Sequence, residues 1–408
     1  MPTKRTLWLT TAALLLYFFA NQTQVGWLYI MSALLLGTLI AAWLFGLRAL
    51  RRLTGIRTLD AGDGEVYEGD SLGVELTLNN VGKAGVYQIR TAEACPLAAP
   101  DSPQREMKVF LPEITPGDSV KFSYTVDVDR RGLHTFPPLL LRTRAPFGLF
   151  RRQRKLDMPT RVLVYPEVRP LRHLSLLDYT RAQQSARPKS GLGSEVIGVR
   201  PFRSGDSPRH IHWRSLARTG QLMSKEFADE AQPGLALALD LFAHPYAATD
   251  SKHTPFEWAV KVAVSVADYA RLRNYPLYII ADDETYPAPG GAVAWHALLQ
   301  YLARVQPVGK QRFNAVLERA AVYSLVAAVL PYPDDDARAA LIALRYRGCS
   351  LLAVLMNPQS FPAGGLSAQP LVEALSAAQI DTRLIQFNTE TSHDWTTQLS
   401  APEEALKA

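Results

Sequence analysis

Val25–Leu47 runs for 23 residues without a charged side chain. As a helix rising 1.5 Å per residue it is long enough for the ~30 Å hydrocarbon core of a bilayer. A second apolar run, Leu7–Ala20, precedes it and closes at Asn21-Gln22-Thr23-Gln24; it needs its flanks to reach the same length. Several aromatics (Trp8, Tyr17, Trp27, Tyr29, Trp43) sit toward the run ends, as interfacial rings do. Lys4 and Arg5 precede the first run, and Arg48, Arg51 and Arg52 follow the second. Positive charge at both outer ends and none in the connector predicts a transmembrane hairpin, spans about 7–22 and 25–47, with both ends and the bulk of the chain in the cytoplasm. A cleaved signal peptide is the rival reading, but Phe18-Phe19-Ala20 is a poor small-residue cleavage site.

At 408 residues the chain has room for two or three further domains. Residues 54–144 read as a small β-sandwich. Leu72–Leu78 and Val120–Val126 alternate apolar and polar, and Asn79-Asn80-Val81-Gly82 makes a turn between strands. The Asp127–Arg131 stretch reads as a solvated turn. Residues 145–232 read as a basic linker followed by a polar, aromatic signature. Residues 233–390 read as an α/β domain with a mostly parallel sheet, and 391–408 as a tail. In the α/β part, apolar strands at Leu235–Leu241, Leu277–Ala281, Ser324–Leu330, Leu351–Leu355 and Arg383–Phe387 are mostly separated by amphipathic helices.

Charge is uneven. From Arg142 to Arg218 there are 17 Lys and Arg against 5 Asp and Glu, a net of +12, so the remainder carries −6 of the total +6. Such a block implies an acidic neighbour. The run Arg142–Lys155 holds six basic residues with Phe147 and Phe150. It reads as a linker that docks through its phenylalanines, with contact to anionic lipid as a further expectation. No helix-turn-helix, zinc module or aromatic RNA-binding strand accompanies the charge, so no nucleic-acid partner is expected. Cys95 and Cys349 lie far apart and read as small buried hydrophobes in a reducing compartment.

Within 193–230 the turn chemistry of Ser204-Gly205-Asp206 and Ser207-Pro208 leads into Arg209–Arg214, whose alternation reads as a short strand. The spacing Gly193-x-Glu195, Gly198-Val199-Arg200-x-Phe202, Gly205-Asp206, Arg209-x-Ile211-x-Trp213 and Ala217-Arg218-x-Gly220 resembles the bacterial family called domain of unknown function 58. Arg131-Gly132 and Pro146–Phe150 upstream extend the resemblance. His212 stands where the family usually has an acid.

The resemblance implies a multi-pass protein of the bacterial inner membrane. It would be non-enzymatic, without cofactor, and would work beside a MoxR-type AAA+ ATPase in assembling envelope or enzyme complexes. It also implies that the α/β part is similar to a von Willebrand factor type A domain. There the metal-binding Asp-x-Ser-x-Ser falls on Asp240-Leu241-Phe242-Ala243-His244, where only the aspartate survives. The expected docking motif is Glu195, Arg200, Phe202, Gly205, Asp206, Arg209 and Trp213, with Asp206 fixing the turn, the arginines meeting an acidic partner or Glu195, and Trp213 anchoring. The alternative is a metal-dependent adhesive or hydrolytic protein using Asp240 with His244, or the His210/His212 pair.

Overall fold

The computed structural model describes residues 2–48, 50–62, 64–179, 196–202, 208, 211–227, 234–244, 252–282, 294–387 and 395–400. The chain forms two compact units, Met1–Glu167 and Val168–Ala408.

The first unit opens with helices α1 (Lys4–Thr23) and α2 (Gly26–Arg48). Gln24, in the left-handed region, ends α1 by donating its N–H to Ala20 O. The chain then runs back: Tyr17 meets Tyr29 edge-on and Ser32 Oγ donates to Ala13 O at 2.9 Å. Among the described residues one helix, Gly26–Leu47, is long and apolar enough to cross a membrane. α1, with 20 residues, is diluted by Lys4, Arg5 and four threonines.

Ten strands follow. The first sheet joins β1 (Leu53–Asp60), β3 (Ser71–Asn80) and β6 (Ser119–Asp127). The second joins β5 (Glu106–Ile114), β4 (Val86–Ala94), β8 (Leu139–Thr143) and β9 (Arg152–Leu156), and both are antiparallel. A third sheet, β2 (Val66–Tyr67), β10 (Arg161–Tyr165) and β7 (Gly132–Thr135), is mixed. The alternation read in β3 holds residue by residue: Leu72, Val74, Leu76 and Leu78 are buried and their neighbours are not. They share one core with Ile89, Leu111, Tyr124, Leu139, Leu141 and Leu156. Buried inside is an ion pair, Arg57 Nε to Glu93 Oε1 at 2.7 Å.

Two expectations change here. Arg131, read as part of a solvated turn, is buried, because the backbone after β6 folds inward and is held by Val128 N to Asp70 O and Asp129 N to Leu97 O. The basic run 142–155 is not a plain linker. Arg142 and Thr143 end β8, Arg152–Lys155 lie in β9, and residues 144–151 are the tip of that hairpin. Alternating Arg and Gln in an exposed strand mimics a linker in composition. Only the pairing with β8 distinguishes them.

The second unit is built on a fully parallel sheet of β13 (Leu235–Leu239), β14 (Leu277–Ile280), β15 (Leu325–Leu330), β16 (Ser350–Met356) and β17 (Asp381–Ile385). Their order across the sheet is β14-β13-β15-β16-β17. Every residue of β13 and β15 is buried, as strands covered on both faces must be. Ala236, Ala238, Val326, Ala328 and Leu330 face a core that includes Phe313, Val316 and Leu317 of one helix, Phe313–Ala320, and Leu341 and Leu344 of another, Asp335–Tyr346. The helix Pro255–Leu272, buried from Pro255 to Ala270, also packs on the sheet. Both cysteines are buried free thiols, as expected.

Candidate functional site

Strand order reverses direction between β13 and β15, so their carboxyl ends flank the crevice where parallel α/β sheets bind ligands. Asp240 stands at that point, directly after β13. Its side chain is 2% exposed. Its N–H donates to Val329 O, its Oδ1 accepts the Phe242 N–H at 2.9 Å, and its Oδ2 lies 3.2 Å from His244 Nε2, whose N–H donates to it. The His244 ring is 4.8 Å from Tyr332 and 5.2 Å from Phe242. Tyr332 Oη is buried without a hydrogen-bond partner, and burial followed by the charge of Asp240 pushes the phenol up to about 12. Asp334 caps the helix Asp335–Tyr346 by accepting from Asp336 N at 3.0 Å. Burial holds its carboxyl above the usual range, helped by Asp336 and Asp240 and opposed by the Asp336 N–H and His244.

Gly309 pairs with the chain that follows β13. Its N–H donates to Leu241 O at 2.7 Å and its carbonyl accepts from Ala243 N at 3.2 Å, so the chain after β13 is stitched to a loop that sequence reading had not singled out. Here Asp240 is already engaged by a backbone N–H and an imidazole. Two metal donors, Asp240 and His244, meet at this point, and among the described residues no group of three or more His, Cys, Asp or Glu could hold a metal ion.

The signature region forms a second candidate surface. β11 (Val196–Pro201) pairs antiparallel with β12 (Met223–Phe227), and a short helix, α3 (Trp213–Thr219), packs against β12. The expected strand at Arg209–Arg214 is corrected. Ile211 makes one bridge to Ser224, and from Trp213 the chain is helical. His212 explains the break, because its Nδ1 accepts from Ser215 N at 3.3 Å and lies 2.7 Å from Ser215 Oγ, which caps the helix. An acid at that position suits the same job, since carboxylates are favoured helix N-caps. Histidine at this position therefore supplies the cap that the acid expected from the resemblance would supply. His212→Ala is expected to destabilise this helix by about 1 kcal/mol while His212→Asp retains it. Hydrogen exchange of the Ser215 and Leu216 amides reads both variants; equal exchange in the two would remove the capping role.

Of the expected docking residues, Arg200 lies in β11 and donates from Nη1 to Pro201 O at 3.2 Å. Phe202 follows it, half-buried, and its N–H donates to Leu222 O. Trp213 is 65% exposed. Glu195, Gly205, Asp206, Arg209 and His210 lie outside the described residues.

The class defined by these features is a protein with an apolar N-terminal helix, a β-rich first unit and a parallel α/β second unit. Residues 198–360 match the family model described as "Protein of unknown function DUF58", the family that the signature resembles. The uncharacterized protein YeaD of Bacillus subtilis (strain 168) is 26% identical over 244 residues, covering 58% of this chain and 59% of that protein, so the match spans about three-fifths of that curated relative. Among solved structures, a GH20 exo-β-N-acetylglucosaminidase from Vibrio harveyi is 10% identical over 80% of this chain and 59% of its own, at a TM-score of 0.22. The sporulation control protein Spo0M of Bacillus subtilis is 10% identical over 37% and 58%, at 0.16. At such scores neither likeness bears on fold or function.

Proposed function

We propose that the chain is a membrane-anchored, non-enzymatic interaction protein. In this reading α1 and α2 cross a bacterial inner membrane as a hairpin with both ends in the cytoplasm. The second unit is a von Willebrand factor A-like domain whose apical aspartate is satisfied internally. The region 196–227 is a docking module for a MoxR-type AAA+ ATPase acting in complex assembly. The observation that carries this is the exposure of Trp213, 65%, on a capped helix that packs on β12, in a region where Leu222 (49%) and Val199 (39%) are exposed as well. Exposed Arg214 and Arg218 lie on the same helix. A large exposed aromatic among apolar and basic neighbours is the composition of an interface hot spot, not of a catalytic pocket.

The test is affinity capture of the full chain from detergent-solubilised membranes, read by mass spectrometry. An AAA+ ATPase is expected to co-purify, and Trp213→Ala combined with Arg200→Glu to weaken capture by about 2 kcal/mol or more, as loss of a hot spot does. Absence of an ATPase from the wild-type capture, or equal capture by the folded variant, would sink the docking role.

A further inference from the structure

The hairpin tip 144–151 has no role in the reading above, yet it is tied to the foot of the apolar helices. Pro2 bridges to Phe150, Thr3 N donates to Leu149 O at 2.9 Å, Thr3 Oγ1 donates to Gly148 O at 3.1 Å, and Thr6 Oγ1 donates to Leu149 O. Leu149 is 6% exposed and packs with Leu39 and Ala42 of α2, with Leu9, Leu36 and Phe150 around them. The Arg152 side chain lies on Gly46, and its Nη2 reaches Trp43 O at 3.5 Å. Arg154 Nη1 takes the carbonyls of Leu50 and Leu53 at 2.6 and 2.9 Å. The tip is therefore fixed in height against the helices.

That height is informative. At 1.5 Å per residue, Leu39 and Ala42 lie about 9–14 Å along the axis from Arg48, where α2 ends. Interfacial segments bury their apolar face roughly 5–10 Å into the boundary between headgroups and acyl chains. Trp8 (75% exposed) and Trp43 (46%) stand at the same end of the helical pair, as an interfacial aromatic belt does. Phe147, 60% exposed on the tip, continues that belt from the β-rich part of the unit. Exposed Arg144 and Arg151 flank it. Lys4 and Arg5 begin α1 nearby, with Arg5 Nη1 3.8 Å from where a Cβ on Gly148 would stand.

We propose that the tip 144–151 is a membrane-inserted wedge: Phe147 enters the headgroup–acyl boundary, and Arg144 and Arg151 meet the phosphates of anionic lipids. The partner is the bilayer itself. Water-facing, an exposed Phe at the apex of a six-cation hairpin has nothing to do; lipid supplies both the apolar phase for the ring and the anions for its flanks. The inference rests on α2 being embedded, and the experiment separates the two.

Full-length chain carrying a nitroxide label at Phe147→Cys or at Leu34→Cys is reconstituted in vesicles of phosphatidylcholine, with or without a minority of phosphatidylglycerol. Collisional accessibility to oxygen and to a water-soluble nickel complex is then measured. Cys95 and Cys349, 0% and 5% exposed, do not compete for label. Leu34, 63% exposed in mid-helix, reports the anchor. The expected result is oxygen-dominated accessibility at both sites, with the label at 147 shifting deeper when phosphatidylglycerol is present and returning toward water in Arg144→Glu/Arg151→Glu. A lipid-facing label at 34 with a water-facing label at 147 would overturn the wedge and leave the anchor standing. Water-facing labels at both sites would overturn the anchor and the wedge with it. A buried label at 147 that ignores anionic lipid would overturn the phosphate contacts.

Discussion

Arg57→Ala is expected to unfold the β-rich part of the first unit, at a cost of about 3–5 kcal/mol, the range for stranding one member of a buried ion pair. The Arg57 and Glu93 side chains are 0% and 1% exposed. The guanidinium donates from Nε to Glu93, from Nη1 to Met158 O at 2.8 Å, and from Nη2 to Pro137 O at 3.2 Å, and it lies over the Phe136 ring. It thus ties β1 to β4 and to the segments around β10 through one side chain. Without it, Glu93 keeps only a long hydrogen bond from Tyr124, at 3.4 Å, in an apolar core. Burial already holds the Glu93 carboxyl above its usual range, outweighing Arg57, which lowers it. A carboxyl raised in the folded state contributes stability that is present below its unfolded value and lost as pH rises through its folded one. Removing Arg57 raises Glu93 further, so the deficit of Arg57→Ala grows with pH and its unfolding midpoint falls more at about pH 8 than at about pH 5. Adding Glu93→Gln removes the stranded charge and recovers part of the loss. Denaturation followed by circular dichroism in detergent measures all three chains; an unchanged midpoint in Arg57→Ala, or a double variant worse than the single, defeats the account.

Gly309→Val is the second large effect. A Cβ there would stand 2.7 Å from Leu241 O, 2.9 Å from Leu241 C and 3.2 Å from Leu241 Cβ. The obstacle is largely backbone, which cannot rotate away as a flexible side chain can. The backbone exchange that stitches this loop to residues 241–243 must open, and overpacking of this kind costs about 3 kcal/mol or more when the backbone has to move. The change falls where β13 delivers Asp240, so Phe242 and His244 lose their seats first. Loss of the Asp240–His244 contact, seen as a moved His244 ring resonance, should accompany the drop in unfolding midpoint. A Gly309→Val chain of unaltered stability would show that the loop yields freely.

How much of this was legible beforehand follows from what kind of information each feature needs. β13, β15 and β16 were readable because burial on both faces makes each a nearly unbroken apolar run, whereas β17 opens with Asp-Thr-Arg and spans Asp381–Ile385, two residues before the expected Arg383–Phe387. The alternation of β3 was readable for the same reason at period two. Trp213 misled, because three alternating residues fit a strand as well as the turn before a helix, and the His212 cap that decides between them is a hydrogen bond across three residues. The basic run misled more fully, since its identity as β8, tip and β9 resides in pairing partners. Gly309 gave no signal at all; its importance lies in a backbone approach to Leu241, 68 positions away in the chain and invisible to spacing.

The apolar helix, the division into a β-rich part and an α/β part, and the resemblance to DUF58 are all legible in the chain, because hydropathy, periodicity and turn chemistry are local properties. Folding in three dimensions was needed to show that strand order reverses at Asp240, that His244 fills the aspartate's free oxygen, that Arg57 is buried on Glu93, and that a basic hairpin tip is fastened to the foot of the helices. Each of these is a meeting of residues distant in sequence or facing one another only after a turn. Such meetings are set by which surfaces exclude water together, and no single segment carries that information.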